Sequence, residues 1–78
     1  MDRVNQSKNH LLGRNVKRLR LEKGLRNKDI VAQLGTRGVD ISTGTYSKIE
    51  MGLNNPSVDI LVALTDILKC DFNELFKD

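Results

Sequence analysis

Residues 30–52 read IVAQLGTRGVDISTGTYSKIEMG, two short stretches with helical spacing on either side of a turn that contains Gly38. The first stretch predicts a short helix that begins at Asn27 or Lys28 and closes at Gly35. Its apolar positions lie on one side, so the helix has one face for the core. These positions are Ile30, Val31 and Leu34.

The second stretch predicts a helix from Thr43 to Met51. Tyr46 and Ile49 lie three residues apart on the side that we expect to face the core, and Gly52 follows as a stop signal. Ser42 is a good N-cap, because its hydroxyl can accept a hydrogen bond from the first turn of the helix.

The sequence between the two helices is TRGVDIS, residues 36–42, and it has no long periodic run. We interpret it as a loop in which Val39 or Ile41 packs inward. The second helix keeps a polar side that carries Ser47 and Lys48. Two helices joined in this way allow the second to enter a DNA major groove, which is about 12 Å wide.

Three further helices are predicted outside this pair. An apolar stripe predicts a first helix over residues 9–23 with Gly24 as its C-cap. Ser57 caps a fourth helix with a clear 3.6-residue repeat, and Asp71 caps a last helix over residues 72–77. No strand pattern is convincing, so the predicted fold class is all-α with five helices. The apolar positions are Leu12, Val16 and Leu19; Ile60, Leu61, Leu64, Ile67 and Leu68; and Phe72, Leu75 and Phe76.

The chain has 78 residues, 38% of them hydrophobic and 29% charged, and one domain fills that length. A core of this size supplies only about 3–5 kcal/mol, so a deep catalytic cavity is disfavoured and we expect no enzyme. His10 and Cys70 are the only histidine and cysteine, so we predict no metal, cofactor or small-molecule ligand. Without an apolar leader, and with one cysteine, we expect a cytoplasmic protein that has no membrane segment.

Charge is divided between the two parts of the chain. Residues 1–50 carry eleven Lys and Arg against five Asp and Glu, whereas residues 51–78 carry two against five. The basic part is either a solvated helical face or a footprint for a polyanion, most economically nucleic acid, since Lys and Arg release counterions from phosphates. Charge alone does not decide between these readings.

Several motifs occur together in a characteristic order and spacing over residues 13–76. They are the Val16-Leu19-Arg20 stripe with Lys23-Gly24-Leu25; Ile30-Val31-Ala32 with Leu34-Gly35; Tyr46-Ser47-Lys48-Ile49-Glu50 before Gly52; Asn55-Pro56-Ser57; and the Leu61 to Leu68 stripe before Asp71-Phe72-Asn73-Glu74-Leu75-Phe76. With these motifs the chain resembles the lambda-repressor-like helix-turn-helix family, also called the Cro/CI or XRE family. The resemblance implies a five-helix DNA-binding domain over residues 9–78, preceded by a flexible arm over residues 1–8.

Matched residue by residue, the resemblance implies three sets of functional positions. The recognition helix begins at Thr43, and the structural pair that joins it to the first helix is Arg20 with Glu50. The turn before Thr43 is longer than the common form, so the chain resembles the long-turn variants. The base contacts implied are Thr43, Gly44, Ser47 and Lys48; the phosphate contacts are Arg26, Asn27, Lys28, Arg37, Ser42, Asn54 and Asn55.

The function that we expect from this resemblance is sequence-specific binding of double-stranded DNA by a transcriptional regulator. We expect a repressor that binds a palindromic operator as a homodimer, because one domain reads only about 4–5 base pairs. The alternative is a protein-binding module of the same fold, an anti-repressor or an antitoxin-like partner.

Overall fold

The computed structural model describes residues 10–78, and these residues form five helices and no strand. The predicted all-α, five-helix fold is therefore confirmed. The expected arm over residues 1–8 lies outside the described residues, as does residue 9. The helices are α1 (Leu11–Glu22), α2 (Asn27–Thr36), α3 (Thr43–Glu50), α4 (Val58–Leu68) and α5 (Phe72–Phe76).

The first three helices each end before a glycine with left-handed backbone. The glycine φ angles are 69° at Gly24, 79° at Gly38 and 79° at Gly52. At each end the next N–H bonds back five residues, as Val39 does to the carbonyl of Leu34 at 3.0 Å. This is the glycine-closed helix end that L side chains adopt only with strain.

The predicted stop at Gly35 is wrong, because α2 continues to Thr36 and the glycine with positive φ that follows it is Gly38. Gly35 has ordinary helical backbone within α2, and its N–H and carbonyl belong to the helix and its closing turn. In a stretch with two glycines three residues apart, the one that can adopt positive φ after the last turn ends the helix.

The core lies among the five helices, where α1 packs against α3, α4 and α5, and α2 packs against α3 and α4. It is formed by the predicted apolar stripes together with both loop residues, Val39 and Ile41, which pack partly buried against it. The fully or nearly buried members are Leu12, Val16, Leu19, Ile30, Leu34, Tyr46, Ile49, Ile60, Leu61, Ala63, Leu64, Ile67, Leu68 and Leu75.

The short helix α5 is fastened to α1 by a buried polar side chain. Asn15 Nδ2 donates to the carbonyl of Leu75 at 2.9 Å and to that of Lys77 at 2.8 Å. These carbonyls are at the C-terminal end of α5, where a helix has no internal donors left. Of the three apolar residues predicted for this helix, only Leu75 is fully buried, whereas Phe72 and Phe76 stay 48% and 40% exposed.

Candidate nucleic-acid interface

Helix α3 has a buried face and an exposed face. Tyr46, Ile49 and Glu50 are buried. The side chain of Ser42 accepts from the backbone N–H of Thr45 at 3.0 Å and so caps the first turn. Of the positions implied as base contacts, Thr43, Gly44 and Lys48 are exposed and Ser47 is half-buried.

The buried face of α3 is held by a polar cluster at its last turn. Arg20 of α1 donates to Glu50 from Nε at 2.7 Å and from Nη2 at 3.0 Å, and its Nη1 donates to the carbonyl of Leu25 at 2.9 Å. The hydroxyl of Tyr46 donates to the same carboxylate. Arg20 and Glu50 are only 9% and 8% exposed, so the carboxylate is largely shielded from solvent while it accepts from three donors.

This cluster changes the acid strength of two of its members. The hydrogen bond to Glu50 raises the pKa of the Arg20 guanidinium above its ordinary value. Burial, and then the hydrogen bond to Glu50, raises the pKa of the Tyr46 phenol well above 10.0. Both shifts keep the protonated donors in place around the carboxylate.

Helix α1 approaches the end of α3 closely enough to exclude a β-carbon at one position. A β-carbon at Gly13 would collide with the backbone carbonyl oxygens of Glu50 and Ile49, the second at 2.6 Å. Glycine lets the two backbones touch, and α1 therefore supports the last turn of the recognition helix directly.

The start of α1 also covers the turn that follows α3. A hydrogen bond of 3.2 Å joins His10 Nδ1 to the carbonyl of Met51. Because a carbonyl only accepts, Nδ1 carries the proton in this contact. The imidazole fills the space where a side chain at Gly52 would lie.

A groove of about 490 Å³ opens between α1 and the α2–α3 pair. Arg14 and Lys17 of α1 are exposed at its edge, and the Arg20–Glu50 pair forms part of its lining. A groove lined mostly by polar and charged residues, with cations at its edge, is suited to an anionic chain such as a phosphate backbone. The residues that line it are His10, Arg14, Lys17, Arg20, Asn27, Ser47, Glu50 and Met51.

Asn27, the first residue of α2, spans from this groove to the recognition helix. Its Nδ2 donates to Ser47 Oγ at 2.7 Å. Its Oδ1 is buried and has no hydrogen-bond donor among the residues that the structure describes. One residue implied as a phosphate contact thus touches one implied as a base contact.

The neighbours of Asn27 at the start of α2 are exposed cations. Asp29 accepts from the backbone N–H of Arg26, the N-cap residue, at 2.8 Å, and no side chain among the described residues accepts from the N–H groups of the first turn. That bond holds the pKa of the Asp29 carboxyl below its usual range. Arg26 and Lys28 both project to solvent beside the groove's Asn27.

Arg37, Asn54 and Asn55 lie outside the lining of this groove. Arg37 Nε donates to Asp66 of α4 at 2.7 Å, and its Nη1 donates to the carbonyl of Gln33 at 2.9 Å. The contact with Arg37 lowers the pKa of the Asp66 carboxyl. Asn54 and Asn55 are half-buried, and the backbone N–H of Asn54 bonds to the carbonyl of Lys48 at 3.2 Å.

Sequence reasoning did not single out the α1 side of the groove. Arg14 and Lys17 entered only the charge count, and His10 was expected to have no role. A usable signal exists, since Arg14, Lys17 and Arg20 recur every three residues and so lie near one another on α1. The Asn27–Ser47 contact joins residues twenty apart, and no local pattern predicts it.

Residues 10–78 contain no group of three or more His, Cys, Asp or Glu placed to hold a metal ion. Cys70 is half-buried, and burial raises the pKa of its thiol, which is the opposite of what a nucleophile needs. None of the described helices is long and apolar enough to span a membrane.

The fold and the groove together define a small all-helical protein with a helix-turn-helix. The second helix of this motif, α3, is bonded to α1 through its buried face and exposes its other face to solvent. A helix-turn-helix family model matches residues 16–75, so the chain belongs to this family, in its XRE or lambda-repressor-like form. No curated protein and no solved structure matches the chain. The family is one of DNA-binding transcription regulators and is not typically enzymatic, so the chain is assigned to that broad class.

Proposed function

We propose that this protein is a sequence-specific transcriptional repressor that acts in the cytoplasm by binding a palindromic DNA operator as a homodimer. The observation that carries the proposal is that α3 has one buried face and one face exposed to solvent. Its buried side is tied to α1 through Arg20 and Glu50, while Thr43, Gly44 and Lys48 are presented to solvent. A helix fixed in this way can enter a major groove without losing its orientation.

The groove beside α3 supports the same proposal. Arg14 and Lys17 on one side and Asn27 on the other are suited to a phosphate backbone that runs past the recognition helix. Arg26 and Lys28 extend the positive charge along the start of α2. We propose that these residues position the helix, and that Lys48 donates to guanine O6 or N7 in the major groove.

The remaining phosphate contacts belong to the same proposal. Ser42 lies at the start of α3, and Asn54 and Asn55 follow its end. These residues are therefore placed to contact the phosphates of a DNA strand that passes both ends of the helix. Arg37 is engaged by Asp66, and a phosphate would have to compete with that carboxylate for it.

Dimerisation is proposed because two half-sites, about 10 base pairs apart, are needed to specify an operator. Exposed apolar side chains in the acidic C-terminal part are the candidate contacts: Phe72 and Phe76 on α5, and Val58 and Val62 on α4. Sedimentation equilibrium tests this. We expect a dimer, and a Phe72→Ser, Phe76→Ser double variant that is monomeric and helical.

Electrophoretic mobility shift across a salt series tests DNA binding itself. We expect binding to random duplex at low salt, with log affinity falling by about 0.9 per phosphate contact for each unit of log salt concentration. Selection from a random duplex library should then return a two-fold symmetric sequence. A protein that binds no duplex at low salt would instead support the protein-binding alternative.

A further inference from the structure

The hydrogen bond between Asn27 and Ser47 has a direction. The amide N–H of Asn27 is the donor and the hydroxyl oxygen of Ser47 is the acceptor, at 2.7 Å. A serine hydroxyl has one hydrogen to donate and two lone pairs to accept with. The amide therefore occupies one lone pair and leaves the hydroxyl hydrogen and the other lone pair for further partners.

The position of the pair allows that partner to be DNA. Ser47 lies on α3 one residue before the exposed Lys48, and it lines the groove together with Asn27. Asn27 is the first residue of α2, and Ser47 belongs to the last turns of α3, which Arg20 and Glu50 anchor. The contact therefore joins two helices that are held independently of it.

Accepting a hydrogen bond also makes the Ser47 hydroxyl a stronger hydrogen-bond donor. Hydrogen bonds in a chain polarise one another, so a hydroxyl that accepts from an amide becomes a better donor. In the major groove, purine N7, guanine O6 and thymine O4 accept, whereas cytosine presents only its N4 donor. A serine biased towards donation favours an accepting base over cytosine, which it can meet only through its remaining lone pair.

We infer that Asn27 is a positioning residue that sets the polarity of Ser47, so that Ser47 acts at DNA mainly as a hydrogen-bond donor and disfavours cytosine at one operator position. This inference rests on the proposed DNA-binding function and deepens it. It gives Asn27 a part in sequence preference, in addition to any phosphate that it contacts.

The decisive variant is Asn27→Asp. A carboxylate only accepts, so Ser47 must donate its hydrogen to it and present lone pairs to the DNA. We expect the base preference at that position to invert towards cytosine, the base with only a donor. The added negative charge will also weaken binding to all sequences alike, so the preference at each position is scored, not the affinity.

Selection from a random duplex library at one low salt concentration provides the measurement, with the wild type, Ser47→Ala, Asn27→Ala and Asn27→Asp compared. In the wild type we expect cytosine to be depleted about two- to tenfold at one position. Ser47→Ala should abolish this depletion, and Asn27→Ala should reduce it. Positions read by Lys48 should keep their preference in all four proteins, and circular dichroism should show equal helix content.

Different results separate this inference from the function on which it rests. A wild type that selects no sequence would overturn both. A wild type that selects an operator, with Asn27→Asp and Asn27→Ala giving an unchanged profile, would overturn only the role of Asn27. Ser47→Ala that weakens all sequences equally would place Ser47 on a phosphate and would also overturn the inference.

Discussion

The guanidinium of Arg20 and the carboxylate of Glu50 meet through two hydrogen bonds of 2.7 and 3.0 Å, thirty residues apart in the chain. The first residue belongs to α1 and the second ends the recognition helix. Both are buried, and the carboxylate also accepts from Tyr46. The orientation of α3 is therefore set at its C-terminal end by a planar, bidentate contact that a lysine could not reproduce.

Arg20→Ala should destabilise the protein by about 3 kcal/mol, because it leaves a buried carboxylate without its charged partner. Chemical denaturation followed by circular dichroism measures this. DNA affinity should fall as well, since the last turn of α3 loses its attachment to α1.

Arg18→Ala is the matched control, on the same helix. Arg18 pairs with Glu22 at 3.0 Å, but the two side chains are 38% and 59% exposed, so the loss should stay below about 1 kcal/mol. Equal stability of the Arg20 and Arg18 variants would show that the buried pair does not support the fold.

Tyr46 should make the protein sensitive to alkaline pH. Burial raises the pKa of its phenol in the folded state above the ordinary 10.0. Above about pH 10 the unfolded chain therefore releases a proton that the native state retains, and stability falls as pH rises. Because Tyr46 is the only tyrosine and there is no tryptophan, its ultraviolet titration reports this one group.

We expect the tyrosinate band to appear only together with unfolding. Tyr46→Phe should cost about 1 kcal/mol at neutral pH through loss of the bond to Glu50, and it should remove this part of the alkaline loss. Ionisation of Tyr46 near pH 10 with the helices intact would contradict the burial of the hydroxyl.

Gly13→Ala and Gly35→Ala should have opposite effects. At Gly13 a methyl group meets the backbone of Ile49 and Glu50, so we expect destabilisation of about 1–3 kcal/mol. At Gly35 its nearest neighbour is Asp40 Oδ1 at 3.8 Å, so alanine should stabilise α2 by about 0.5–1 kcal/mol. Thermal unfolding of the two variants in parallel is sufficient, and the same sign for both would be the contrary result.

Lys48→Ala and Lys17→Ala should separate base reading from phosphate binding. The first should reduce the preference for one base by about 1–3 kcal/mol. The second should weaken all sequences alike and lower the salt slope by about 0.9, as should Arg26→Ala. Arg18→Ala again serves as the control, since Arg18 does not line the groove. The reverse pattern would exchange the roles of Lys48 and Lys17.

Periodicity predicted the helices well because each has its own apolar stripe and end signals. Ser42, Ser57 and Asp71 cap their helices as expected, with side chains that accept from Thr45, Ile60 and Glu74. The exception, the end of α2, depended on which glycine takes positive φ, and only the backbone of the turn decides that.

The site was less accessible to sequence reasoning, since its contacts join distant segments. The resemblance identified Arg20 and Glu50 as partners, but Tyr46 was assigned only to the core, although its four-residue spacing from Glu50 puts the two side chains on one face of α3. Nothing local indicates that Asn27 contacts Ser47 or that Arg37 bonds to Asp66. Both are contacts between helices, and their partners are set by how the helices pack.

The eight residues of α3 include one set that anchors the helix and another set that is exposed to solvent. Residues 46, 49 and 50 attach the helix to the body of the protein, while residues 43, 44 and 48 make no part of the core. The exposed positions can therefore be exchanged as a cassette, and a library varied at these three sites should yield regulators with new operators on an unchanged scaffold.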